Sequence, residues 1–347
     1  MDFNLLESRA GIVFMDGTPK VQTPTMAHDF AGALDADPGL ITVSNAGIPA
    51  FLTLYQDPRL IDIIVAPMKA VEAVGSEVKK GDWASDTALF QTLEMTGETT
   101  AYGDYNESGN AGVNTNFPQR QSFHFQTFTR YGERELERAG LAKMDLANQK
   151  NRASALVLNK AQNKSYLFGI TGLQNYGMLN DPSLDAALTP ITKAAGGTLW
   201  TTTAGAQNAT MLEVYADINK MFYNLQKKLN GNLSVEDKMT LIMSNKAQIA
   251  LQYANTYNTQ TVKQLIEAVY PNLKFVFVPE YSTDSGELVQ LVVDAVNGQP
   301  TWECAFTEKM RAHPMQVKSS SFEQKKSCGT WGTIIYMPVG IEQMLGV

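Results

Sequence analysis

The longest helical pattern in the chain runs from Arg130 to Phe168. No proline interrupts it, and it is dominated by Ala, Leu, Glu, Lys, Arg, Gln and Met, which favour helices. Apolar or small residues recur in steps of three and four at Met144, Ala147, Asn151, Ala155, Leu158 and Ala161. The pattern predicts one long helix of about 30 residues, roughly 45 Å in length. Gly140 is expected to permit close packing or a slight bend in it.

Two strand patterns precede this helix, in residues 86–100 and 120–129. In the second, Phe123 and Phe125 alternate with polar residues, a period of two that favours a half-buried strand. His124 is expected to face solvent on this strand. Between the two patterns, residues 101–118 are rich in Gly and Asn and exceed the two to five residues of a common hairpin loop. Because a lone hairpin is marginally stable, this arm is predicted to lie on another surface.

The remaining chain reads as an N-terminal extended arm, a mixed α/β unit and a β-rich tail. Glycines and prolines interrupt residues 1–45, which predicts an arm without helical period. Residues 170–298 combine predicted helices with strands, and the tail after residue 300 has its best strand at Gly329 to Pro338. The predicted helices of the mixed unit are 206–229, 245–254 and 262–268, and its strands are 239–243, 274–278 and 288–296.

Composition narrows the functional class. Of 347 residues, 44% are hydrophobic and 18% are charged, and the charged share is below the usual quarter. Such a chain has more neutral surface for contact with other chains. The net charge of −7 argues against a protein that wraps nucleic acid and suits a container better. Two cysteines do not make a disulfide framework. The chain contains no run of 18 apolar residues that would indicate a membrane span.

The residues that usually carry catalysis or metal binding form no recognisable motif. The three histidines His28, His124 and His313 are far apart, and no Cys-x-x-Cys pair is present. Phosphate loops, dinucleotide fingerprints and nucleophile elbows are also missing. We therefore expect no catalytic, cofactor-binding or metal site, although catalytic residues need not be neighbours in sequence.

Four segments resemble the major capsid proteins of tailed bacteriophages with the Hong Kong 97-type fold. The resemblance runs from about residue 40 to the C-terminus and is strongest between residues 159 and 184. The segments are YGDYNESG (102–109), RYGERELERAGLA (130–142), NKAQNKSYLFGITGLQNYGMLNDPSL (159–184) and TPITKAAGGTLW (189–200).

This resemblance implies an α+β fold with a defined order of parts. It implies an N-terminal arm at 1–45, an extended β-hairpin loop at 84–130 and a spine helix at 131–170. An axial domain would occupy 171–299, and 46–83 and 300–347 would complete the peripheral domain. The subunit-interface candidates on and beside the extended loop are Tyr102, Asp104, Tyr105, Asn110, Asn114, Phe117 and Arg120.

The function implied by the resemblance is structural rather than enzymatic. Copies of the chain would assemble as pentamers and hexamers into an icosahedral head that encloses phage double-stranded DNA without sequence-specific binding. Scaffold, portal and decoration proteins are further expected partners, and no membrane is involved. The protein would be assembled in the host bacterial cytoplasm and reside in the virion. The alternatives are an encapsulin-type compartment, which shares the fold class, and an α/β enzyme with a titrating pocket.

Overall fold

The computed structural model of the protein describes residues 67–142, 144–202, 205–255, 258–283 and 286–347. The expected N-terminal arm and residues 46–66 lie outside them. The helices are α1 (Ala70–Val74), α2 (Glu133–Leu141), α3 (Leu146–Phe168), α4 (Met211–Lys228), α5 (Ala247–Ala250) and α6 (Val262–Val269). The strands are β1 (Glu77–Lys79), β2 (Thr87–Leu89), β3 (Thr92–Glu98), β4 (Asn110–Asn116), β5 (Gln119–Gln121), β6 (Phe123–Gly132), β7 (Met239–Met243), β8 (Ala254–Asn255), β9 (Asn258–Thr261), β10 (Leu273–Phe277), β11 (Ser282–Thr283), β12 (Gly286–Val293), β13 (Ala295–Val296), β14 (Gln299–Pro300), β15 (Trp302–Ala312), β16 (Gln316–Lys318), β17 (Ser321–Ile335) and β18 (Ile341–Leu345).

The first five-stranded sheet is built around the long strand β17. Antiparallel neighbours β15, β16 and β6 pair with it, and β1 pairs in parallel with β15. Strand β6 continues the pattern predicted for residues 120–129, and its register runs from Phe123 opposite Thr330 to Gly132 opposite Ser321. The strand pattern around residues 329–338 proves to be the second half of a longer strand. This sheet therefore joins residues on both sides of the hairpin to the end of the chain.

The prediction of one continuous helix before Phe168 is wrong, because the chain leaves the helical path between α2 and α3. The side chain of Asp145 accepts a hydrogen bond from the Asn148 amide (3.2 Å), so it caps a new helix. Gly140, a poor helix former, lies one residue before the end of α2. It is exposed, and a Cβ atom there would meet no heavy atom within 4 Å, so it permits no close packing. The Asp145 cap and Gly140 both favour a break in the helix, although the residues around them are good helix formers.

Helix α3 contacts the first sheet through polar as well as apolar side chains. Leu158, Tyr166 and Leu167 are buried. The buried ammonium group of Lys326 on β17 donates to Oδ1 of Asn151 (2.8 Å) and Oγ of Ser154 (2.7 Å) on the helix. Burial lowers the pKa of Lys326, because the charged form loses hydration there. These directional hydrogen bonds fix how the helix lies on the sheet.

In the second five-stranded sheet, four strands lie in the order β10–β7–β12–β11, and the fifth strand, β18, also pairs with β12. Every residue of β7 is buried, which confirms the predicted strand at 239–243. Strand β7 and strand β10 are parallel, whereas β12 runs antiparallel to β7, β11 and β18. The apolar faces of α4 and α6 pack against this sheet through Ile218, Leu225 and Ile266.

Helix α4 starts later than the apolar pattern predicts. Thr210 and Glu213 form a capping box, in which the Glu213 amide donates to the Thr210 hydroxyl (3.4 Å) and the Thr210 amide donates to the Glu213 carboxylate (2.7 Å). A capping box satisfies backbone amides at the start of a helix and so marks its N-terminus. The helix therefore begins at Met211 rather than at Ala206.

The tail is divided between the two sheets. Strands β15, β16 and β17 join the first sheet, while β18 joins the second. In the second sheet, Leu288 lies opposite Leu345 and Val292 lies opposite Ile341. Crossing of the tail from one sheet to the other ties the two sheets together at the end of the chain.

A buried ion pair fastens the segment 189–200 to helix α4. The ammonium group of Lys193 pairs with Asp217, and both side chains are fully shielded from solvent. Oδ2 of Asp217 also accepts from Nε1 of Trp200 (2.7 Å), and its Oδ1 accepts from the Ile191 amide (2.8 Å). The carboxylate is thereby satisfied on both oxygens, as a buried charge requires.

The loop after α3 runs back along the end of that helix, and the two backbones are in direct contact. The Met178 amide donates to the Tyr166 carbonyl (2.9 Å), and the Leu179 amide donates to the Leu167 carbonyl (3.1 Å). A Cβ atom on Gly177 would lie 2.3 Å from the Leu167 carbonyl carbon and oxygen. Only glycine fits at this position, because the obstructing atoms belong to the backbone and cannot rotate away.

We predict that Gly177→Ala destabilises the subunit by about 1–3 kcal/mol, the usual cost of forcing an extra methyl group into a packed site. Gly140→Ala is the matched control, since its methyl group meets open space in an exposed helix and gains up to about 1 kcal/mol of helix propensity. Urea unfolding of unassembled subunits, followed by circular dichroism, measures both. Equal midpoints for the two variants contradict the prediction.

We also predict that Asp217→Asn costs about 3–5 kcal/mol, because it leaves the ammonium group of Lys193 buried without a counter-charge. The same change in a Lys193→Met background is expected to cost much less. A double-mutant cycle of unfolding free energies gives the coupling between the two residues. A coupling near zero shows that the buried pair is not what holds the segment.

Candidate assembly surface

The extended loop contains a two-stranded hairpin that pairs with no other strand among the described residues. Strands β3 and β4 form it, with Leu93 opposite Thr115 and Met95 opposite Val113. All seven residues of β4 are exposed. The expectation of a long loop over 101–118 is therefore wrong for residues 110–116, which form a regular strand despite their Gly and Asn content.

The register gives the hairpin two different faces, because side chains alternate along a strand and cross-strand partners share a side. One face carries the apolar side chains of Leu93, Met95 and Val113, whose exposed fractions are 61%, 89% and 58%. The other face carries Thr96 and Glu98 together with the interface candidates Asn110 and Asn114. We call these the apolar face and the polar face of the hairpin.

The tip between the strands, residues 99–109, is ordered by its own side chains. The Asn106 amide group donates to the Ala101 carbonyl (2.9 Å), and its oxygen accepts from the Ser108 amide (2.9 Å). The Thr100 hydroxyl donates to the Ser108 carbonyl (2.6 Å). The interface candidates Tyr102, Asp104 and Tyr105 lie here, fully exposed. Both tyrosine rings are almost entirely in solvent, at 94% and 101% exposure.

The base of the hairpin is held to the loop after α3. The interface candidate Arg120 forms an ion pair with Asp181 (2.8 Å), and its guanidinium carbon lies 4.9 Å from the centre of the Tyr176 ring. The Asn175 side chain donates to the carbonyls of Gln121 (2.9 Å) and Thr330 (3.2 Å). Strands β2 and β5 also pair at this base. Arg120 is thus engaged within its own chain and orients the hairpin.

The seven candidates lie on one arm but not on one surface. Three lie in the tip, two on the polar face, Phe117 is half-exposed between β4 and β5, and Arg120 is in the base. The apolar residues Leu93, Met95 and Val113 were missed by the sequence reasoning. Finding them required the strand register, which the Gly- and Asn-rich sequence of β4 does not reveal.

His124 does not face open solvent, so that expectation is wrong. Its ring is half-buried, 4.3 Å from the centre of the Trp83 ring in an edge-on arrangement, and its Nε2 lies 3.4 Å from the Thr307 hydroxyl. A Cβ atom on Gly329 would collide with this hydroxyl and with the imidazole. The small size of Gly329 on β17 lets His124 pack there, so the histidine has a structural role.

The remaining chemistry of the described residues is sparse. Both cysteines are unpaired and buried, and burial raises the pKa of the Cys328 thiol to about 11. The pKa of Cys304 is raised as well. No group of three His, Cys, Asp or Glu side chains that could hold a metal ion occurs in the described ranges. Within the same ranges, every helix is too short or too polar to cross a membrane.

Solved capsid structures have a similar fold at low sequence identity. The capsid of Myoviridae phage XM1 has a TM-score of 0.72 at 12% identity, covering 87% of this chain and 100% of that chain. The capsid of the native GTA particle has a TM-score of 0.58 at 9% identity, with coverages of 88% and 99%. A chain of Mycobacterium phage Ogopogo has a TM-score of 0.54 at 9% identity, with coverages of 86% and 98%. These similarities confirm the α+β capsid fold of the Hong Kong 97 type.

A search among curated proteins finds no matching sequence. A family model does match, and it is described as Pa193 gp26 major capsid protein. The match extends over residues 39–346, which is most of the chain and includes the hairpin, α3 and both sheets. The chain therefore belongs to the Pa193 gp26 family of major capsid proteins.

Proposed function

We propose that copies of this major capsid protein build the phage head by laying the apolar face of each hairpin on a neighbouring copy. The observation that carries the proposal is a hairpin that exposes Leu93, Met95 and Val113 together on one side. Exposed apolar clusters of this kind mark protein contact sites. A structural subunit that closes shells, rather than an enzyme, is the function we infer.

The energetics suit a shell that closes reversibly before it becomes stable. Burying a Leu, Met or Val side chain contributes roughly 1.5–3 kcal/mol, so the apolar face supplies a few kcal/mol per contact after ordering costs. Such contacts are weak one at a time and strong when many act together. Misplaced subunits can then leave, while a closed shell holds.

The interface candidates take different parts in this proposal. Tyr102 and Tyr105 are aromatic and fully exposed at the tip, so we assign them as anchors on the neighbour, in keeping with the enrichment of tyrosine in interfaces. Asp104, Asn110, Asn114 and Phe117 would form the rim of the contact. Arg120 would act through its ion pair with Asp181, which sets the direction of the hairpin.

The separation of the hairpin from both sheets supports assembly in pentamers and hexamers. Among the described residues, it joins the rest of the subunit at its base, through β2, β5, the polar contacts of Asn175 and the packing of the Phe90 ring against Tyr336. One sequence can therefore present the same face to neighbours at slightly different angles. We assign the first sheet with α3 to the peripheral domain and the second sheet to the axial domain. We keep the bounds implied by the resemblance (1–45, 46–83, 84–130, 131–170, 171–299 and 300–347), except that β6 goes with the first sheet and β18 with the second.

The finer biological setting is also part of the proposal. We infer that the head encloses double-stranded DNA, that the subunits assemble in the host bacterial cytoplasm, and that scaffold, portal and decoration proteins are partners. The family match supports a phage head over an encapsulin-type compartment, because the family model is described as a major capsid protein. Negative-stain microscopy and sedimentation of the protein expressed alone test shell formation directly.

We predict that Met95→Asp abolishes shells while leaving the subunit folded, because the new carboxylate would have to be buried against the neighbour without a partner. Thr96→Asp is the matched control, since it adds the same charge one residue away on the polar face. Circular dichroism melting tests the fold, and particle counts by microscopy test assembly. Closed particles from Met95→Asp, or their loss in both variants, contradict the assignment of the apolar face.

A further inference from the structure

Helix α3 has a charge composition opposite to that of the chain as a whole. Between Leu146 and Phe168 it contains four basic residues and no Asp or Glu, whereas the whole chain has a net charge of −7. The basic residues are Lys150, Arg152, Lys160 and Lys164. Because the total is negative, this local excess of positive charge is invisible in the composition.

Three of these cations lie on the side of α3 that faces away from the first sheet. The fourth, Lys150, forms an ion pair with Glu135 (2.7 Å) and is not counted among them. Arg152, Lys160 and Lys164 are separated by eight and four residues, so they follow one side of the helix over roughly 18 Å. Arg152 and Lys164 are exposed, and Lys160 is half-exposed. We call these three residues the basic face.

No ion pair or hydrogen bond engages the basic face within the part of the chain that the structure describes. Two carboxylates on helices packed against α3 are engaged elsewhere: Glu135 binds Lys150, and Glu72 binds Lys69. Glu280 accepts from Asn163 (3.4 Å), and burial raises the pKa of its carboxyl, which disfavours a negative charge there. The positive charge of the basic face is therefore uncompensated.

An uncompensated row of cations weakens a helix. Lys160 and Lys164 are four residues apart, a spacing at which like charges destabilise a helix. The stretch of sequence offers many positions for a compensating Glu and uses none. A partner that supplies regularly spaced negative charge would relieve this repulsion.

We propose that the basic face lines the inside of the shell and contacts phosphates of the enclosed double-stranded DNA. The inference rests on the proposed function, because it requires a shell that holds DNA. Double-stranded DNA carries one negative charge per about 1.7 Å of axis, which is denser than the cations of the basic face, so each cation would have a phosphate within reach. Flexible Lys and Arg side chains bind phosphates without reading bases.

The test removes the three charges together. The variant Arg152→Gln, Lys160→Gln, Lys164→Gln is compared with the control variant Lys79→Gln, Lys227→Gln, Lys238→Gln, which removes three exposed cations from other elements. Unassembled subunits are titrated with a short fluorescent DNA duplex at several salt concentrations. We expect the basic-face variant to assemble shells but to lose about one unit of the salt-dependence slope per cation removed. The control variant should keep the wild-type slope.

A third variant separates charge from packing. Arg152→Lys, Lys160→Arg, Lys164→Arg keeps the charges and should keep the slope. An unchanged slope in the Gln variant, equal loss in the control variant, or no wild-type binding at low salt overturns the proposal. Loss of shells with DNA binding retained overturns it too, because the face would then contact a protein. Absence of shells from the wild-type chain is read separately by microscopy and counts against the proposed function instead.

Discussion

The structure depends on the close passage of the loop after α3 between the end of that helix, the base of the hairpin and strand β17. Backbones meet there without intervening side chains: Gly177 lies against the Leu167 carbonyl, and a Cβ atom on Gly332 would lie 2.3 Å from the Tyr176 carbonyl oxygen. Asn175 then bonds the hairpin base to β17. One residue beyond Gly177, Met178 is fully buried in a cluster that contains residues of both sheets, and its carbonyl accepts from Gln290 of the second sheet (3.5 Å). Hairpin direction, helix position and the relation of the sheets are therefore set by a single stretch.

Buried polar groups position several parts of this subunit. Lys193 and Asp217 hold the segment before α4, and Lys326 holds α3 through Asn151 and Ser154. Buried polar contacts of this type contribute little net stability compared with an apolar core, yet they are satisfied in only one arrangement. A capsid subunit has to present the same geometry in every copy. Directional contacts meet that requirement better than interchangeable apolar ones do.

The sequence was most informative where one period dominated a segment. Strand β7, helix α6 and the apolar face of α4 followed their patterns because each packs one side on a single core. The predicted helix bounds were wrong where a capping side chain opposed the helical composition around it. Asp145 caps α3 inside an otherwise helical segment, and Thr210 with Glu213 moves the start of α4. The register of β4 and the crossing of β18 to the second sheet depend on partners distant in sequence, which no local pattern encodes. The resemblance did include the segment 159–184, but the contact that demands Gly177 appears only in three dimensions.

The pairing of β3 with β4 alone has a consequence for the life of the subunit before assembly. Each strand has an outer edge that pairs with no other strand among the described residues, so its backbone groups are a potential template for strand addition by any passing chain. The sequence of β4, NAGVNTN, is rich in the residues that strands disfavour. A weak strand former makes a poor template, so amyloid-like growth from this edge is discouraged. The hairpin is therefore less stable by itself, but free subunits are less prone to aggregate before they bind the correct neighbour.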